Sequence, residues 1–68
     1  MSRTLTNEEE VYLKCISIEH LIRLMVLGGT TNNEELVEAV DNMYPPQNEY
    51  EEEKFSEAIL YAKYGVLN

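Results

Sequence analysis

Residues 21–40 read LIRLMVLGGTTNNEELVEAV, and the fold is decided inside that stretch. An apolar run ends on Gly28-Gly29, the chain restarts through Thr31 with Glu34 three positions on, and a new apolar pattern opens at Leu36. Glycine ends a helix readily because the position after the last turn adopts a left-handed conformation that a Cβ opposes. A Ser/Thr-x-x-Glu spacing opens a helix: the hydroxyl accepts from the third backbone N–H and the glutamate reaches back to the cap. A helix stop joined to a helix start, with no strand alternation on either side, predicts an all-α chain.

Upstream, Thr6 and Glu9 repeat the capping spacing and mark the start of a first helix. Its apolar positions Val11, Cys15, Ile18, Ile22 and Met25 fall on one stripe, which Leu13, Leu21, Leu24 and Leu27 widen. About 21 residues at 1.5 Å each make a rod of roughly 30 Å. That is more apolar surface than two short companion helices cover, so Val11, Cys15, Ile18, Ile22 and Met25 are expected to form a seam with another copy. Downstream, Leu36, Val37, Val40 and Met43 or Tyr44 give a short second helix that ends at Pro45-Pro46, since proline disfavours helix before it and cannot donate into one. Asn48 is the expected cap of a third helix with Phe55, Ala58, Ile59 and Ala62 on its stripe, Leu60, Tyr61 and Tyr64 beside it, and Gly65 as its stop ahead of a Val66-Leu67-Asn68 tail. The expectation is a single domain over residues 1–68, one long helix and two shorter ones, dimeric or oligomeric through the first.

Composition narrows the function. A 68-residue, 7.9 kDa chain without Trp holds one modest core and gains from self-association. Five basic against thirteen acidic residues give a net charge of -8 and a pI near 4.4, so a phosphate backbone is repelled over most of the surface and direct nucleic-acid binding is not expected. The single Cys15 rules out an internal disulfide framework and suits a reducing cytoplasm. Leu21–Leu27, the longest strongly apolar stretch, is broken by Arg23 and far short of the roughly 20 residues of a membrane span. MSRTLTNEEE turns acidic before any apolar run and lacks the form of a secretory signal. A soluble, cytoplasmic protein is expected, in the host cytoplasm if phage-encoded.

No catalytic constellation is legible. Cys15 and His20 lie five positions apart on one helix, about 140° apart around its axis, and cannot pair within a chain. Cys15 reads as a small core hydrophobe; His20 reads as a surface residue beside Glu19 and Arg23, or as a pH-sensitive contact in an interface. No Cys, His, Asp and Glu spacing matches a zinc or calcium site, and no cofactor is expected. Gly28-Gly29-Thr30-Thr31 before a helix lacks the lysine, the glycine spacing and the preceding strand of a phosphate loop. The chain is read as no enzyme.

The charge is polarised: residues 1–30 carry three basic and four acidic side chains, summing to -1, and residues 31–68 carry two and nine, summing to -7. A carboxylate surface of this kind docks onto a basic groove and speeds that encounter; its plainer use is solubility and dipole compensation on the third helix. Tyr44, Tyr50, Tyr61 and Tyr64 share the acidic half, and tyrosine is enriched in protein interfaces. The expected partner surface is Tyr44, Tyr50, Glu51, Glu52, Glu53, Glu57, Tyr61 and Tyr64, facing a protein with a basic surface. The expected role is regulator or inhibitor, such as a phage-borne inhibitor of a host nucleic-acid-binding or defence protein.

Two resemblances bear on this. The succession LIRLMVLGG, TTNNEELVEAV and EEEKFSEAILYAK resembles the YmgB/AriR family of small helical bacterial regulators over most of the chain. It implies a small dimer acting as a connector on a signalling or transcriptional partner. RTLTNEEE and SEAILYAK resemble the two ends of the helical-hairpin sponges with which phages sequester the cyclic oligonucleotides of CBASS defence. That likeness implies phosphate and base contacts from Arg23, Lys63 and a stacking Tyr12 or Tyr61.

Overall fold

The computed structural model describes residues 6–67. Three helices follow one another, α1 over Asn7–Leu27, α2 over Asn33–Met43 and α3 over Glu49–Leu67, and among the described residues there is no strand. Arg3, within the RTLTNEEE stretch, and Asn68 lie outside the described residues.

The helix ends follow local chemistry. Thr6 caps α1 in a full capping box: Glu9 N–H donates to Thr6 Oγ1 at 3.1 Å and Thr6 N–H donates to Glu9 Oε1 at 3.3 Å. At the other end Gly29 takes φ 100°, Gly29 N–H donates to Val26 O at 3.0 Å and Thr30 N–H to Met25 O at 2.9 Å. This is the Schellman arrangement, in which the left-handed glycine lets two orphan carbonyls find donors. The cap of α2 is Asn32 and not Thr31: its Oδ1 accepts from Glu34 N–H at 2.8 Å and Glu35 N–H at 3.4 Å. An asparagine carboxamide caps at least as well as a threonine hydroxyl, and here it satisfies two donors. Asn48 caps α3 as expected, accepting from Glu51 N–H at 2.9 Å.

The third helix departs from expectation. Gly65 does not stop it; the helix runs to Leu67, nearly as long as α1. Val66 packs on the core one turn beyond Ala62, and that burial carries the backbone through Gly65, which keeps a negative φ. Among the described residues no atom lies within 4 Å of where a Cβ on Gly65 would sit. Gly65→Ala is therefore expected to stabilise the chain by about 0.5–1 kcal/mol, read as a higher midpoint in urea unfolding with unchanged slope.

Helices α1 and α3 run parallel. Lys14 Nζ lies 3.7 Å from Glu51 Oε2, and Cys15 Sγ lies 3.7 Å from Lys54 O. One turn on, Cys15 and Glu19 line a shallow depression with Glu57 and Tyr61. Helix α2 makes the return journey, and Lys63 Nζ near the end of α3 donates to Asn33 Oδ1 at its start at 2.6 Å. Eleven helical residues cover only about 16 Å. The extended Tyr44-Pro45-Pro46-Gln47-Asn48 connector supplies a similar length at about 3.1 Å per residue, which together match α1.

The core is the strip between α1 and α3, closed on one side by α2. Ile18, Ile22, Leu36 and Val40 are its largest fully buried side chains, with Val11, Val26, Phe55 and Ile59 around them. Ala58 and Ala62 bring the backbone of α3 close to the branched side chains of α1. The expected intermolecular seam is accordingly occupied from within: Val11, Ile18 and Ile22 are buried, and Cys15 and Met25 are half-buried against the same core. A 19-residue α3 is long enough to cover the stripe that two short helices would have left open.

Candidate functional site

The residues expected at a partner surface do not form one patch. Tyr50, Glu57, Tyr61 and Tyr64 follow, with Lys54, a 4, 3, 4, 3 spacing along one edge of α3 and are all exposed. Glu52 lies on the other edge, facing α2, and Glu53 is exposed on the outer side. Tyr44 is half-buried against the core at the end of α2. Glu51 is inside the fold, 3% exposed. Its carboxylate accepts from Gln47 N–H at 3.3 Å and pairs with Lys14, so it fastens α3 to its connector and to α1 and presents no surface charge.

The tyrosine edge borders a groove between α1 and α3. Tyr12, Cys15, Tyr50 and Lys54 line its first part, and Cys15, Lys54, Glu57 and Tyr61 the next. The Lys54 ammonium sits 5.7 Å from the Tyr50 ring centroid and 3.5 Å from Glu57 Oε2. Arg23 and Lys63, the cations that the sponge resemblance implies, are held elsewhere, Arg23 by Glu19 at 3.2 Å and Lys63 by Asn33. Burial pushes the Cys15 thiol up from its ordinary value, Glu19 raises it further, Lys54 opposes, and Glu57 and Glu51 add to the rise. A thiol held protonated is a poor nucleophile, and His20 is exposed on the far side of α1. Among the described residues no group of three His, Cys, Asp or Glu is placed to hold a metal ion, and no helix is long and apolar enough to cross a membrane.

The acidic residues divide by what explains them. Glu8, Glu9 and Glu10, Glu34 and Glu35, and Glu49, Glu51 and Glu52 sit in first turns, where the positive end of the helix dipole favours carboxylates. Glu38 and Asp41 on α2 have no such role. Asp41 lies in the last turn, where the dipole disfavours an anion, and that turn holds no basic residue. Glu34, Glu38 and Asp41 recur at helical spacing, so like charges face one another along the helix. Among the described residues the Lys and Arg side chains are engaged by Glu51, Glu19, Glu57 and Asn33, and none of the ion pairs reaches α2.

This face has an apolar centre. Val37, 41% exposed, sits among Glu34, Glu38 and Asp41. Val37 and Asp41 continue into the groove between α2 and α3, where Glu52 and Ser56 stand on the far wall. Local patterns read Glu34 as a capping residue and Val37 as part of the apolar side of α2, and Glu38 and Asp41 belong to no motif; the signal that joins them is that the 30 residues between Arg23 and Lys54 contain eight acidic side chains and no Lys or Arg.

No family model, curated protein or solved structure matches this chain.

Proposed function

We propose that this chain is a small, cytoplasmic, non-catalytic protein-binding module. It engages a basic surface, of the kind carried by nucleic-acid-handling proteins, through the outer face of α2 and the adjoining edge of α3, and acts as a regulator or inhibitor of that partner. It also self-associates through α1. The observation that carries the binding reading is Asp41 with Glu38: two carboxylates that no cation among the described residues pairs, one at the wrong end of a helix dipole, beside an exposed valine. Stability does not account for them, whereas a cationic partner offsets their repulsion and covers Val37.

Two triple variants of equal charge test the reading. Glu34→Gln/Glu38→Gln/Asp41→Asn alters the α2 face; Glu49→Gln/Glu53→Gln/Glu57→Gln alters α3 to the same net charge. A partner captured from bacterial lysate at low salt and identified by mass spectrometry should be released by moderate salt. It should be lost at least tenfold with the α2 variant and retained with the α3 variant. The double variant Glu38→Gln/Asp41→Asn, which keeps the first-turn Glu34, should also melt higher than the parent, because repulsion and the misplaced charge at the end of α2 are relieved. Equal loss in both variants would reduce the interaction to unspecific charge, and a salt-insensitive complex would overturn the basic-partner reading.

A further inference from the structure

Helix α1 carries a second apolar stripe that none of the described residues covers. Leu13, Ile16, Leu24 and Leu27 are 49%, 45%, 58% and 72% exposed. At 100° per residue they lie, with exposed His20, within about 80° of one another, on the side opposite Ile18 and Ile22. These leucines therefore do not widen the core stripe; they form another. Met43, 60% exposed at the end of α2, extends the same face beside Ile16, His20 and Leu24.

Two features select the occupant. The first is order. The stripe is symmetric about residue 20: Leu13 and Leu27 stand seven positions either side, Ile16 and Leu24 four. A two-fold interface must be self-complementary, residue i meeting j while j meets i. An antiparallel pairing centred on His20 sets Leu13 on Leu27 of the second copy and Ile16 on its Leu24, leaving none of the four α1 positions unmatched. An unrelated partner imposes no such symmetry. The second is charge. Over the stripe's own span, residues 13–27, the one carboxylate is Glu19, which Arg23 pairs at 3.2 Å, whereas the whole chain is -8. Two strongly acidic molecules approach with least repulsion along this face, and antiparallel helices also oppose their dipoles.

We infer that the chain forms a two-fold dimer in which the outer stripes of α1 pack antiparallel with the axis at His20. This rests on the self-association proposed above and assigns it a different face and a geometry. The stripe is about 21 Å long, a small contact beside the roughly 800 Å² per partner of a standard interface, so the dimer forms at micromolar and not nanomolar chain. His20 is the one polar interruption at the centre, and meeting its own copy fixes the register, as a lone polar residue does in a coiled coil.

The test uses the full chain. Sedimentation across a dilution series should show the mass doubling over the micromolar range. Leu24→Asp should weaken association at least tenfold with helical circular dichroism retained, and His20→Leu should strengthen it. In a Cys15→Ser background, His20→Cys should be trapped as a covalent dimer by oxidised glutathione. Leu13→Cys alone should not, but a mixture of Leu13→Cys and Leu27→Cys chains should. A chain monomeric at every concentration would overturn self-association altogether. A dimer that survives Leu24→Asp, or that traps Leu13→Cys with itself and not His20→Cys, would leave self-association standing and overturn this axis.

Discussion

Ile22→Asp is expected to abolish folding, with loss of the helical circular dichroism signal at room temperature, while Leu24→Asp two positions along keeps it. Ile22 is 0% exposed in the strip between α1 and α3. Removing its side chain forfeits about 2–5 kcal/mol of packing, and the carboxylate put there has no donor, which adds several more. At about 0.05–0.15 kcal/mol per residue, a chain of this length holds about 3–10 kcal/mol in total. Leu24 is 58% exposed, and a charge there costs about 0.7 kcal/mol of helix propensity. Measured at low chain concentration, both variants unfolding, or both folding, would contradict the assignment of a core side and an outer side to α1.

The second large effect belongs to a carboxylate that looks, in the sequence, like its neighbours. Glu51→Ala is expected to lower stability by about 2 kcal/mol, whereas Glu53→Ala changes it by under about 0.5 kcal/mol. Removing the Glu51 side chain leaves Gln47 N–H without its acceptor and Lys14 without its partner. The Lys14 side chain is still 34% exposed, so solvent screens its part of the pair. A Lys14→Met/Glu51→Gln double-mutant cycle should therefore return a coupling near 1 kcal/mol and not the larger value of a fully buried pair. Equal effects at Glu51 and Glu53 in urea unfolding would show that Glu51 is solvated after all.

Most of the architecture was legible because helix ends are written in local chemistry. The Thr6–Glu9 box, the Gly28-Gly29 stop, the Asn48 cap and the Pro45-Pro46 break each act within a few residues of chain. What sequence could not supply was which side of α1 meets α3. The helix is apolar on two opposite sides, so its periodicity merged Leu13, Leu24 and Leu27 with the core stripe. The same gap hid the length of α3: a glycine stop at Gly65 is a local expectation, and Val66 packing against the core overrode it. Glu51 was misplaced among surface carboxylates for a similar reason. Its role depends on Lys14, 37 positions away. The acidic face of α2 was legible, as a long interval without cations, but total charge by halves averaged it away.

The parallel alignment of α1 and α3 has a consequence for how this chain acquires its structure. Each core pairing across that strip joins residues about forty positions apart, such as Cys15 with Lys54. No short fragment contains both halves of it, so loop-closure entropy must be met before burial returns anything. On the ribosome the apolar side of α1 emerges long before its cover does. Until α3 has left the exit tunnel, Ile18 and Ile22 lack the helix that completes their cover, and folding is expected to be a late event and not a helix-by-helix accretion.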